Sequence, residues 1–184
     1  MKKLIGLFVC VSLFYSCTNN QQGAETTAAK SGLETAAAEM KDYEFADSKF
    51  KDIGKKGLAD LASGDIDSWM NSYADNAVYR WNGGDSLVGK AAISAYWKSR
   101  RKDVIDSLSF TNDVWLPMKV NKPEVAAQLP GNYALGWYMV YAKYKTGKSM
   151  SQRSHVVLHF DANDKIDRAT QYLDRAPINA AAGK

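Results

Sequence analysis

Proline is scarce in this chain of 184 residues, with only four, and cysteine and histidine are scarcer still at two each. With four prolines and 13 glycines the chain is neither collagen-like nor proline-rich. Long hydrophobic runs are also missing: only the extreme N-terminus comes near membrane length, which excludes a multi-span membrane protein. An excess of one charge is lacking too. The formal net charge is +4, and removing Lys2 and Lys3 with the segment discussed below brings it to +2, so nothing favours nucleic acid as a partner. No Gly-rich phosphate loop, serine-centred elbow, cysteine nucleophile or paired metal motif occurs. What is present is ordinary globular composition, 46% hydrophobic and 24% charged, enough for one domain plus an appendage. That composition names neither a ligand nor a reaction.

The appendage is N-terminal. Met1, Lys2 and Lys3 precede an apolar run over residues 4–15, the basic start and short greasy core of an export signal. At ~1.5 Å per helical residue the run reaches roughly 18 Å, short of a hydrocarbon core of about 30 Å. The stretch Leu13-Phe14-Tyr15-Ser16-Cys17 resembles the lipobox of bacterial lipoproteins, and the resemblance implies that Cys17 is diacylated and becomes the new N-terminus. Phe14 and Tyr15 are bulkier than the usual lipobox residues, and ordinary cleavage elsewhere is the alternative. Cys10, the other cysteine, lies inside the discarded segment, so no disulfide partner remains for Cys17. The expected order is a signal peptide over 1–16 and a lipid-anchored flexible tether over 17–42. The tether is rich in Ala, Thr, Gln and Glu and cannot bury a core, although residues 33–40 favour transient helix. The expected location is the bacterial cell envelope, on the periplasmic side or the cell surface.

Residues 43–178 hold all five tryptophans and form the expected domain, followed by a disordered tail over 179–184. Phe50, Ile53, Gly57, Leu58 and Leu61 fall at helical spacing; Ser63-Gly64 stops that helix and Asp65 is placed to cap the next. Ile66, Trp69, Met70 and Tyr73 then lie on one helical face. A short strand over 77–81 ends in the turn Asn82-Gly83-Gly84-Asp85, and a third helix spans 89–101. Its terminal Lys98, Arg100, Arg101 and Lys102 suit the negative end of the helix dipole and read as a solvated cluster. From residue 108 the pattern has period two. Leu108, Phe110, Val114, Leu116, Met118 and Val120 share one parity of a half-exposed strand, and Pro117 marks an edge or bulge. The strand over 133–145 is apolar on both parities, so both of its faces should be covered. Strands over 151–160 and 166–174 follow through tight turns. Helices first and hairpin-linked antiparallel strands after them predict an α+β fold with the helices on one face of the sheet.

The residues Tyr73-Ala74-Asp75-Asn76-Ala77-Val78-Tyr79, then Gly89-Lys90-Ala91-Ala92-Ile93, then a last strand ending Tyr172-Leu173-Asp174, resemble the nuclear transport factor 2-like superfamily and, within it, the SnoaL-like group. The resemblance implies three N-terminal helices packed in a cone against a strongly curved antiparallel sheet, a cystatin-like arrangement. A pocket lies inside, and a homodimer often forms through the outer sheet face. On that basis one parity of the 133–145 strand lines the cone and the other meets a partner.

His155 and His159 share a strand face with Arg153, but four strand residues span about 13 Å, too far for both imidazoles to bind one ion at about 2 Å. They read as half-exposed interface histidines or, for His155, a pocket acid or base; no metal or cofactor is expected. SnoaL-like cyclases use an aspartate at the end of the sheet as general base, and Asp174 matches that position, with Tyr172 beside it by parity. Desolvation in an apolar cone would raise such a carboxylate's pKa and suit it to proton abstraction. The alternative is an ion pair with Arg175 at the strand end. Trp69, Tyr73, Trp97, Trp115 and Trp137 are candidates for the walls of an apolar pocket, or simply core aromatics. The leading expectation is a domain that binds a small, mostly apolar molecule. One rival is a polyketide-cyclase-like or isomerase enzyme using Asp174, Tyr172 and His155. The other is a non-catalytic interaction module with a plugged pocket.

Overall fold

The computed structural model describes residues 40–184; the expected signal segment, Cys17 and the tether up to residue 39 lie outside the described residues. Strand β1 (Tyr43–Phe45) leads to helix α1 (Lys49–Ser63) and the short helix α2 (Ile66–Met70). Strands β2 (Tyr73–Trp81) and β3 (Ser86–Val88) come next, followed by helix α3 (Lys90–Ser99), which runs into a π-helical turn at Arg100–Val104. Four long strands then alternate with tight connections: β4 (Ile105–Val120), β5 (Gly131–Tyr144), β6 (Ser149–Phe160) and β7 (Ile166–Tyr172). Helix α4 (Arg175–Ala182) closes the chain. One seven-stranded sheet has the order β1-β4-β5-β6-β7-β2-β3. Every neighbouring pair is antiparallel except β2 with β7, which are parallel. The α+β class and the three helices preceding the long strands match the sequence reading.

Helix α1 buries Phe50, Gly54, Gly57 and Leu61, a stripe of three- and four-residue steps. Gly64 ends it in the left-handed region (φ 87°), its N–H donating to the Asp60 carbonyl at 3.0 Å. Asp65 caps α2 by accepting from the Ser68 N–H at 2.9 Å. The glycines in α1 bring the helix close to the sheet. A β-carbon on Gly54 would overlap the Trp115 ring, and one on Gly136 of β5 would lie 2.6 Å from the same ring. Trp115 is thus a spacer wedged between α1 and β5.

Register assigns the strand faces. On β5 the even residues Ala134, Tyr138, Val140, Ala142 and Tyr144 are buried beneath the helices, while Trp137 and Tyr141 on the other parity are 42% and 43% exposed. One parity expectation fails at β4. Thr111 pairs with Met139 and Val114 with Trp137, so three steps on β4 match two on β5, and Asn112 takes a positive φ of 53°. This β-bulge moves the side-chain alternation by one residue. Leu108 and Phe110 therefore pack inside, but Val114, Leu116 and Met118 are on Trp137's face, and Trp115 turns inward in their place. Pro117 sits where β1 gives out: its carbonyl accepts from the Ala46 N–H at 3.2 Å, so its absent N–H also faces the edge and no bond to β5 is lost.

The C-terminal segment differs from the expected tail. Residues 175–182 are helical, capped by the Asp174 side chain, and Gly183 (φ 78°) terminates the helix. Thr146 and Lys148 in the β5–β6 turn donate to the Ala181 and Ala180 carbonyls, and Ala181 is buried against Ile105, Ala142 and Tyr144. Three alanines in succession and a cap explain the helix; beyond Ile178 the sequence has no branched residue to signal its docking.

Candidate functional site

Between the helices and the inner sheet face lies a cavity of about 70 Å³. Its walls are apolar: Leu61 from α1, Trp97 from α3, Leu108 and Phe110 from β4, Val140 and Ala142 from β5, and Leu173 and Ile178 from the C-terminal segment. Polar groups converge within them. The Tyr138 hydroxyl donates to Gln171 Oε1 at 3.1 Å and the Tyr79 hydroxyl reaches the same oxygen at 3.4 Å. Gln171 Nε2 in turn donates to the His155 carbonyl at 3.3 Å, which fixes the amide's orientation. Ser154 and Gln152 from β6 complete the polar lining. Burial pushes Tyr138 up to about 12 and holds Tyr79 well above the usual phenol range. Both hydroxyls therefore remain protonated donors at neutral pH.

Arg100, the only charged side chain among the cavity's lining residues, lies with its guanidinium over the Tyr96 ring, 5.6 Å from the centroid. Its neighbour Arg101 donates to the Ala62 carbonyl at 3.2 Å while its Nε and one terminal nitrogen are buried without a partner. The solvated reading of this basic cluster therefore holds for Lys98, which pairs with Asp67 at the surface, but not for the two arginines. The π-helical turn turns them back toward the protein.

The expected site residues of the domain fall in five places. Trp97 lines the cavity. Trp69 and Tyr73 are buried one layer behind it in the main core, edge to face with each other at 5.4 Å, and Trp69 is also edge to face with Trp97 at 5.6 Å. Trp115 is the spacer described above. Trp137, His155 and Tyr172 come together, but on the outer sheet face: Trp137 stacks on His155 at 4.6 Å and His155 on Tyr172 at 5.5 Å. Asp174 is exposed, and its carboxylate accepts from the Ala176 N–H at 2.8 Å as the cap of α4. Arg175 pairs instead with Asp85 at 2.6 Å and lies over Trp81. His159 is buried under the 121–130 loop, between Asp167 and the Pro130 carbonyl.

Sequence reasoning missed Tyr79, Tyr138, Gln171 and Arg100. The sequence of β7 gave no decisive signal for Gln171, because each parity carries one charge, Arg168 with Thr170 and Tyr172 and Asp167 with Ala169 and Gln171. For Arg100 no pattern existed, because a π turn displaces the helical periodicity that was used.

The fold is shared with solved proteins of low sequence identity. A candidate isomerase from Bacillus subtilis aligns with a TM-score of 0.58 at 22% identity, over 74% of this chain and 94% of its own. A candidate polyketide cyclase from Xanthomonas campestris gives 0.58 at 14%, over 73% and 97%. A nuclear transport factor 2-like protein of unknown function from Burkholderia pseudomallei gives 0.60 at 12%, over 75% and 100%. No curated protein matches the sequence. A model of the SnoaL-like domain matches residues 56–169, from within α1 into β7, which supply most of the cavity's lining: the chain belongs to the SnoaL-like domain family.

Proposed function

We propose that this domain binds a small, mostly apolar molecule in its interior cavity, and that the chain is exported and lipid-anchored through Cys17 in the bacterial cell envelope. The observation that carries the binding reading is the cavity itself, an unfilled space walled by Phe110, Val140 and Ala142 with the Tyr79–Gln171–Tyr138 hydrogen-bond node on its wall. Apolar walls with a few convergent polar groups are the usual form of a ligand site. About 70 Å³ is small against the several hundred cubic ångströms of a typical ligand site. The ligand is therefore a compact one, or it enters as Leu173 and α4 give way.

The names of two structural relatives suggest isomerase or cyclase chemistry, which requires a group that takes a proton from the substrate. Among the described residues the cavity lining contains no carboxylate and no imidazole, and Asp174 is engaged in capping α4. This favours binding over turnover. A separate observation supports a homodimer: Val114, Trp137, Tyr141 and Tyr172 are 63%, 42%, 43% and 45% exposed on one sheet face.

The binding reading is tested by filling the cavity. Ligand-observed NMR with compact neutral compounds is run on the full chain and on Ala142→Leu, with circular dichroism to verify folding. Compounds that bind the native protein should lose binding in the filled variant. If nothing binds, or if binding persists unchanged with the cavity filled, the reading fails.

A further inference from the structure

A second recess, of about 160 Å³, adjoins the cavity, and Trp97, Arg100, Leu173 and Ile178 line both. These four side chains are a partition between an apolar inner chamber and a polar outer one. The outer chamber is also lined by Lys184 and by Arg175, whose charge is matched by Asp85 at 2.6 Å. Arg100 has no such match: among the described residues no carboxylate lies within 4 Å of its guanidinium. It is half-buried, stands on the partition, and opens the π-helical turn, a rare backbone form that recurs at functional sites. The polar groups nearest to it add no negative charge. The Tyr79 and Tyr144 hydroxyls are both held neutral by burial, and the Tyr79 hydroxyl is already donating to Gln171.

A partly desolvated guanidinium without a counter-charge, beside an apolar chamber, is complementary to an anion on a short apolar tail. We infer that the ligand of this site is a small amphipathic carboxylate, its tail in the inner chamber and its carboxylate paired with Arg100 at the partition. The inference rests on the binding reading above and narrows it from compact apolar molecules to acids. A neutral analogue keeps the burial of the tail but loses the charge-assisted pair, so acid and alcohol of equal length separate the two contributions.

The test titrates the full-length chain calorimetrically at neutral pH with straight-chain carboxylates of three to eight carbons and with the matching alcohols. The acid of the best length should bind at least about tenfold more tightly than its alcohol, with the preference shrinking at high salt. Arg100→Gln should bring acid and alcohol to within about twofold, chiefly by weakening the acid, and Arg100→Lys should keep part of the preference. If alcohols bind as well as acids, or if Arg100→Gln retains the acid preference, the carboxylate assignment is overturned and cavity binding stands. If neither series binds, the cavity reading falls with it.

Discussion

The buried tyrosines around the cavity make the domain's response to alkali calculable. Tyr73, Tyr79 and Tyr138 are 2%, 3% and 6% exposed, and desolvation raises all three well above the ordinary value of 10.0, Tyr138 to about 12. Native protein therefore holds these protons more tightly than unfolded chain. Their contribution is complete below pH 10, where both states are protonated, and is lost as pH rises through the folded values. For Tyr138 a rise of two pH units corresponds to about 3 kcal/mol. While all three remain protonated in the native state, stability falls by up to ~4 kcal/mol per pH unit, three protons at about 1.4 each. A domain with a typical stability of about 10 kcal/mol then unfolds roughly two to three units above pH 10. Urea unfolding from pH 8 to 12, followed by far-ultraviolet circular dichroism alongside tyrosinate absorbance, measures both sides of the linkage. Stability should be flat with respect to these groups below pH 9 and drop steeply above 10. Tyrosinate from Tyr73 and Tyr79 should appear only together with loss of ellipticity, whereas Tyr138 begins to ionise in the folded state as pH nears 12. In Tyr138→Phe the slope should shrink by about a third. Ionisation of all the tyrosines near pH 10 with the fold intact would refute the argument.

Three further substitutions probe the assignments outside the cavity. Gly136→Ala should destabilise the domain by about 1–3 kcal/mol despite alanine's lower backbone entropy, because its β-carbon would meet Trp115 at 2.6 Å; adding Trp115→Leu should recover much of that loss in a denaturant titration. Asp174→Ala should remove the cap of α4 at a cost of about 1 kcal/mol and speed amide exchange in residues 175–182. If a substrate is found, turnover that collapses in this variant while α4 keeps its exchange protection would revive Asp174 as the catalytic base. Trp137→Ser, at an exposed position, should leave the thermal midpoint within a few degrees but shift the sedimentation mass from dimer to monomer; an unchanged mass would remove the outer face from the assembly.

Much of the architecture was legible because it rests on local chemistry. Ser63-Gly64-Asp65 encodes a stop and a cap that the structure shows as a left-handed Gly64 and a side-chain bond from Asp65, and neither depends on distant residues. The β5 pattern, apolar on both parities, did not say which parity was inward: the even one is buried, while the odd one carries the exposed Trp137 and Tyr141. Face assignment is a register property, and one extra residue at Asn112–Asp113 reversed it along half of β4. Pocket membership was less legible still. All five aromatic candidates were placed by their own periodicity, yet whether Trp69 or Trp97 borders the cavity depends on which layer each occupies between α1, α3 and the sheet. Only Trp97 reaches it.

The position of Asp174 has a consequence for the chemistry of the whole cavity. A carboxylate at the end of the last strand faces two competing demands. It can point inward and supply a negative charge, or it can accept the free N–H of a helix that follows. Here the chain continues into α4, and Gln152 clamps the junction on both sides, donating to the Asp174 carbonyl and accepting its N–H, each at 3.0 Å. The helix so positioned brings Ile178 to the partition beside Leu173 and leaves Arg100 as the cavity's one charged lining residue. Asp174 shares the parity of Tyr172, which lies on the outer sheet face, and capping α4 keeps its carboxylate out of the cavity lining. That is why the acid–alcohol comparison at Arg100, rather than a search for turnover at Asp174, is the experiment that discriminates most sharply between the possible roles of this domain.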